Sequence, residues 1–188
     1  LGIKAGTRSY LPHAFDYRKL LNYANSARVE RPKVPQIFMP SRQDWLTKDP
    51  AWAKGNDVLI RALARLKMRG VAFHAKFVDW GKDAEASKSL IAELGLAADV
   101  SWTPLLNKQQ LWDEYLRSSV VADQFVVAGI SGVSFEALAL GVPVLTRAEK
   151  GQSIRFFGAA PPVIAAATVA QAQRGLESVL TDSGKRQD

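Results

Sequence analysis

The chain has 188 residues, 47% of them hydrophobic and 23% charged, with no Cys, two His and a formal net charge of +7. That length suits one domain with its own hydrophobic core. The lack of Cys excludes disulfides and thiolate metal sites and fits a reducing compartment, and His13 and His74 are too few for a His-rich metal centre.

Residues 1–33 show no sustained periodicity and read as a linker. From Val34 onward, apolar runs and amphipathic stretches alternate. Pro35-Gln36-Ile37-Phe38-Met39 is a short strand ended by Pro40. Asp57 to Arg69 is a helix with Asn56 or Asp57 as its cap; Val58, Leu59, Ala62, Leu63 and Leu66 share one face and Gly70 is the stop. Val71 to Asp79 is rich in β-formers. Ala84 to Leu94 is a second helix, stopped at Gly95, and Val100-Ser101-Trp102 a further strand. Asn107 with Gln110 forms a capping box for a third helix carrying Leu111, Trp112, Tyr115 and Leu116. Ser119 to Ala122 reads as a strand, followed by a glycine-bearing loop, a helix ending at Leu140, and a strand from Val142 to Leu145. Pro162-Val163-Ile164 is the last strand. Thr168 with Gln171 opens a final helix through Leu176, Val179 and Leu180.

Strands and helices alternating at this spacing predict an α/β fold: a Rossmann-like parallel sheet with helices on both faces. The strands are apolar with little alternation, as expected when both faces are buried. Ligands of such sheets bind beyond the carboxyl ends of the strands, and the candidate site residues all fall there. Gly129 and Gly132 flank a strand-to-helix turn, where backbone N–H groups and the helix dipole can hold a phosphate; a bare tight turn is the plain alternative. The loop is neither a GxGxxG fingerprint nor a P-loop, which argues against hydride transfer and P-loop NTPase chemistry. Glu136, among Phe135, Ala137 and Leu138, can accept two hydroxyl hydrogen bonds from a ribose, or stand as an exposed helix carboxylate. Arg42 after the first strand and Lys54 before a helix can neutralise a diphosphate, although each alone reads as a surface charge.

Taken in order, these motifs resemble the C-terminal, donor-binding half of GT-B fold glycosyltransferases, closest to the retaining "group 1" family (family 4). The likeness runs from Pro12 to about Asp182. Pro12-His13-Ala14-Phe15-Asp16 is similar to the interdomain PxGxD segment. Arg42 and Lys54-Gly55-Asn56-Asp57 resemble the family's diphosphate-contacting Arg and Lys-Gly. Gly95-Leu96 through Thr103-Pro104 resembles the strand whose following loop holds the base. Glu136-Ala137-Leu138-Ala139-Leu140-Gly141-Val142-Pro143-Val144, similar to EAxAxGxPV, is the most specific match. The resemblance implies diphosphate contacts from Arg42 and Lys54 and ribose contacts from Glu136. It implies base contacts from the backbone of Thr103, Pro104 and Leu105, and phosphate contacts around Gly129, Gly132 and Val133.

Two departures stand out. The family carries a Glu-x7-Glu pair, and its first position falls on Ala128; Asp123-Gln124-Phe125 resembles a subfamily pattern in which Asp123 or Gln124 serves the sugar. The spacing from Arg42 to Lys54 is long. The insertion Trp45 to Ala53 forms either a flap or packing, and Lys48 competes with Lys54 for the phosphate role, Lys54 being preferred because it enters a helix.

The organisation expected from this likeness is an interdomain linker remnant over residues 1–33, a donor-binding domain over 34–182 and a tail over 183–188. The start at Leu1 reads as a piece of a longer chain with an N-terminal acceptor domain. The expected function is binding a nucleotide-diphosphate sugar for transfer to a glycan or lipid-linked acceptor with retention, the fragment itself being inactive. The substrate is the nucleotide sugar, with neither cofactor nor metal. The expected location is cytoplasmic, at the inner membrane surface where the missing domain makes a peripheral contact. The longest apolar stretch, Gly158 to Ala170, is broken by Pro161 and Pro162 and too short to span a bilayer. Nucleic acid is not expected, because the basic residues are scattered and no binding motif appears. The alternatives are a non-catalytic nucleotide-binding or interaction module of the same fold, or a relative of the nucleotide-sugar 2-epimerases, whose site needs more carboxylates around the glycine loop.

Overall fold

Among the described residues strands alternate with helices, and every pair of neighbouring strands runs parallel. The computed structural model describes residues 16–181, apart from residues 48 and 50. In chain order the elements are α1 (Tyr17–Ser26), β1 (Gln36–Met39), α2 (Asn56–Met68), β2 (His74–Val78), α3 (Ala84–Glu93), β3 (Val100–Thr103), α4 (Lys108–Arg117), β4 (Val120–Ala122), α5 (Gly132–Ala139), β5 (Val144–Thr146), α6 (Lys150–Phe157), β6 (Ile164–Ala165) and α7 (Val169–Thr181). The described strands form one sheet in the order β3-β2-β1-β4-β5-β6. This is the Rossmann-like α/β architecture that the alternation predicts.

The sheet is buried on both sides because its strands supply apolar residues to both. In β1, Ile37 and Met39 join the core beneath α2, α3 and α7, while Phe38 joins the core beneath α1, α4 and α5. All three are fully buried, and side chains of this size each contribute about 1.5–3 kcal/mol on burial. The order reverses between β1 and β4, so the loops leaving those strands diverge to opposite faces. A crevice opens between them at the carboxyl edge, where ligands of open α/β sheets bind.

The helix ends explain several boundaries. Gly70, Gly95 and Gly141 each close a helix by the same pair of backbone bonds. After α5, Gly141 N–H (φ +74) donates to Leu138 O at 3.0 Å and Val142 N–H to Ala137 O at 2.9 Å. This is a Schellman closure. Val142 therefore belongs to the helix stop, and β5 begins at Val144 rather than at Val142. For the same reason Val71, bonded to Leu66 O, lies before β2. The capping box of α4 forms as read, with Asn107 and Gln110 bonded reciprocally at 3.0 Å, worth about 1 kcal/mol. At α7, Thr168 accepts from Gln171 N, but the Gln171 side chain reaches Ala167 N instead of closing the box on Thr168.

Further local readings are corrected. The stretch read as aperiodic contains α1, capped by the Asp16 side chain on Lys19 N. It is seated by buried Leu20, with Tyr23 and Ala24 packed beside it. Neither Asn56 nor Asp57 caps α2. Gly55 holds that position with φ +70, and the Asn56 side chain turns inward to accept from Asp44 N (3.0 Å) and donate to Arg42 O (3.2 Å). α6 lies where the sequence reading places no element; its sequence, KGQSIRFF, has no side-chain cap and stops at Gly158. The Pro12–Phe15 part of the linker motif, Lys48 and the tail from residue 183 lie outside the described residues.

Candidate functional site

The loop from β1 to α2 is pinned at one end and exposed at the other. Asp83 Oδ2 accepts from the backbone N–H of Trp45 (2.7 Å) and Leu46 (2.8 Å), and Trp45 Nε1 donates to Ser87 Oγ at 2.9 Å. Trp45 therefore packs against the core. Trp52, 61% exposed, instead faces Arg42, whose guanidinium lies 5.4 Å from the ring centroid. Arg42 also donates to Trp52 O (2.9 Å) and pairs with Asp44 at 3.4 Å, which holds it at the crevice rim. The packing reading of the insertion describes Trp45, while Trp52 stands exposed beside Arg42.

Lys54 ends this loop and crosses to the β4–α5 loop. Its Nζ donates to Gln124 Oε1, and its carbonyl accepts from Phe125 N–H at 2.8 Å. The close approach depends on Gly55, where a Cβ would meet Val126 Cγ2 at 2.9 Å. Burial pushes the Lys54 ammonium below its ordinary pKa and Arg42 adds to the shift, while Asp123 and Asp44 oppose it. A partly buried cation in this condition favours the arrival of an anion.

Asp123, fully buried at the end of β4, organises the opposite wall. Its Oδ1 accepts from Ser41 Oγ (2.9 Å), and its Oδ2 accepts from Ser134 Oγ (2.7 Å) and from Ser131 Oγ. The carboxylate thus ties the β1 loop to the first turn of α5. Ser131 caps α5, accepting from Val133 N–H at 3.1 Å, and Gly132 is the first helical residue. Gln124 Nε2 donates to Gly129 O at 3.3 Å, and Arg147 Nη1 to Val126 O at 2.7 Å, so the loop that carries Ala128 is held from both sides.

Glu136 lies one turn into α5, with its side chain 12% exposed. Both carboxylate oxygens are occupied from α4: Oε1 by Lys108 Nζ and Oε2 by Trp112 Nε1 at 3.1 Å. Tyr115, also on α4, is fully buried, and its hydroxyl has no hydrogen-bond partner among the described residues. Burial, with the nearby negative charges of Glu136 and Asp123, pushes its pKa well above the ordinary tyrosine value. Thr103, Pro104 and Leu105 lie apart, along an open cleft with Asp79 and Trp102.

Residues 50–188 match the family model described as glycosyl transferases group 1. The chain belongs to this family. Compared with curated proteins, the sequence has no match. Among solved structures, the domain is similar to a glycosyltransferase from Rickettsia africae (TM-score 0.60, 20% identity), covering 89% of this chain and 42% of that one. It is similar to the C-terminal domain of a group 1 family glycosyl transferase from Francisella tularensis (TM-score 0.61, 15% identity), covering 92% and 86%. It is also similar to Anabaena HepE, solved in complex with UDP and glucose (TM-score 0.60, 18% identity), covering 90% and 43%. At these identities the likeness is one of fold, that of a C-terminal GT-B domain. The chain spans less than half the length of the Rickettsia and Anabaena proteins.

In this group 1 glycosyltransferase domain, then, Arg42, Lys54, Asp123, Gln124, Gly129, Gly132 and Val133 gather around the β1/β4 crevice. Glu136 is held by α4, and Thr103–Leu105 form a neighbouring cleft. Sequence reasoning missed Ser41, Ser131 and Ser134 around Asp123, Arg147 on the loop, and the Lys108–Trp112 pair on Glu136. Trp112 registers in sequence only as an apolar helix position; nothing local marks its N–H as a partner of a residue in another helix. Among the described residues no group of His, Cys, Asp and Glu is placed to hold a metal ion, and no helix is long and apolar enough to cross a membrane.

Proposed function

We propose that this domain binds the donor, a nucleotide-diphosphate sugar, whose sugar is transferred to a glycan or lipid-linked acceptor with retention of configuration. The observation that carries the reading is Lys54, a partly desolvated cation lodged against Gln124 beside the start of α5. The diphosphate lies across the β1/β4 crevice. Arg42 and Lys54 take up its charge in the ground state and as the sugar–phosphate bond breaks, when negative charge grows on the leaving oxygen. The amides at Gly132 and Val133 and the dipole of α5 add to that field. Glu136 accepts from the ribose hydroxyls, and the backbone of Thr103, Pro104 and Leu105 meets the base. The reading requires no cofactor. Donor binding belongs to residues 34–182, the preceding segment leads from an N-terminal acceptor domain, and that domain makes any contact with the inner membrane surface.

Ala128 favours a second reading, a nucleotide-binding module that does not transfer. It stands where the family has a carboxylate, and Asp123, the buried carboxylate at the start of the same loop, is engaged by three Ser hydroxyls. Release of nucleoside diphosphate by the longer protein with an acceptor separates the two. Donor binding itself is tested by thermal melting with UDP, GDP, ADP and dTDP. A ligand at a hundredfold over its dissociation constant adds about 2.7 kcal/mol, or roughly 5–10 °C for a domain of this size. No shift with any of the four at millimolar concentration removes the proposal.

A further inference from the structure

Glu136 is not free to meet a ribose in the form described. Its carboxylate is nearly buried and carries a donor on each oxygen, and the two donors differ in kind. Trp112 is fixed. Its ring packs edge-on against Tyr23, with centroids 5.2 Å apart at 63°, and Lys19 Nζ lies 5.7 Å from the ring. The Tyr23 hydroxyl donates in turn to Asp113 Oδ1 at 2.6 Å, so α1 braces α4 at the indole. Lys108 is the opposite case. It is the first residue of α4, its side chain is 66% exposed, and Glu136 is the partner of its ammonium. It also stands just past the Thr103–Leu105 segment that lines the neighbouring cleft.

We infer that Trp112 is a positioning residue that presents Glu136 to the ribose diol, and that Lys108 occupies the diol's seat until nucleotide displaces it. The inference rests on the donor-site reading and on Glu136 as its ribose contact. A vicinal diol binding a carboxylate side-on needs one lone pair on each oxygen. The indole N–H leaves such a pair on Oε2 and sets the plane of the group. The ammonium covers Oε1 from the solvent side, where the sugar enters, and a long exposed side chain gives up such a contact at little cost. Affinity for the ribose is therefore set by exchange of one donor for two, with the second donor, Trp112, unchanged throughout.

Calorimetric titration of the full chain with UDP, GDP and ADP, each beside its 2′-deoxy form, tests this. The ratio of ribo to deoxy affinity reads the 2′-hydroxyl half of the diol contact. Glu136→Gln drives the ratio toward one if Glu136 holds the ribose; an unchanged ratio in that variant, or no binding of any nucleotide to the unaltered chain, overturns the donor-site reading and the inference with it. Given a collapsed ratio in Glu136→Gln, Lys108→Met is expected to bind the ribonucleotide about threefold tighter and to raise the ratio. Trp112→Phe, which keeps the ring but not its N–H, is expected to lower the ratio about fivefold. A Trp112→Phe ratio equal to wild type, or a Lys108→Met loss shared equally by ribo and deoxy forms, overturns the inference while the donor site stands. Lys108 would then serve the phosphates or the base.

Discussion

Replacing Asp123 by Ala removes the one acceptor shared by Ser41, Ser131 and Ser134, at the junction of the β1 loop and α5. Ser134 is fully buried and Ser41 is 4% exposed, so neither hydroxyl finds water as a substitute. Ser131 is partly exposed and recovers a partner. Two stranded buried hydroxyls cost about 1–3 kcal/mol each. Removing a buried carboxylate returns part of that, because its own desolvation is relieved. The balance is about 3 kcal/mol of destabilisation, or roughly 6–12 °C in melting temperature for a domain of this size. Thermal unfolding followed by circular dichroism measures it, with Ser134→Ala as a companion that removes one donor and falls short of the full effect. Asp123→Ala within about 1 kcal/mol of wild type would refute the claim that this carboxylate holds the loop and the helix together.

Other outcomes follow from the same geometry. Lys54→Met is expected to melt above wild type near pH 7 while losing nucleotide binding. Burial holds the folded-state pKa of Lys54 below its unfolded value, so the charged form disfavours the fold. That cost lapses as pH rises through the depressed folded value toward the ordinary value near 10.5. The gap between variant and wild type therefore narrows from pH 7 to pH 10 in pH-resolved melts, and a widening gap contradicts the reasoning. Gly55→Ala places a side chain on a left-handed backbone, at about 1–2 kcal/mol, and crowds Val126. Equilibrium urea unfolding should show at least that loss, and melts with nucleotide should show a reduced shift, because Lys54 is displaced with it.

The sequence carried the sheet and most helices because their signals are local. Ile37-Phe38-Met39 marks β1, and Phe73 with Phe77-Val78 marks β2. Asn107 and Gln110 mark the start of α4, and Gly70, Gly95 and Gly141 mark helix ends that close by one backbone motif. α1 was legible in sequence and went unread: Tyr17, Leu20, Leu21 and Ala24 recur at helical spacing after the Asp16 cap, but the Arg, Lys and Asn residues between them make the stretch polar on average and only Leu20 is buried. The cap of α2 was misread because Asn56 is a favoured capping residue whose amide is claimed by the loop backbone before the helix can use it. The site divides in the same way. Arg42, Lys54, Gly132 and Glu136 lie in recognisable order along the chain. The groups that hold them are chosen by topology: Ser41 reaches Asp123 from 82 residues away, and Trp112 meets Glu136 from a different helix. No periodicity records such pairs.

The central claim is that a nucleoside diphosphate lies across the β1/β4 crevice against the start of α5. Titrating the isotopically labelled chain with UDP and GDP while recording backbone amide spectra tests it directly. The account predicts shifts concentrated at Gly129, Gly132 and Val133, with further changes at Thr103, Leu105 and Lys54. Shifts confined to the basic cleft at the opposite edge of the sheet, lined by Arg28, Arg31, Lys33 and Arg117, would contradict it.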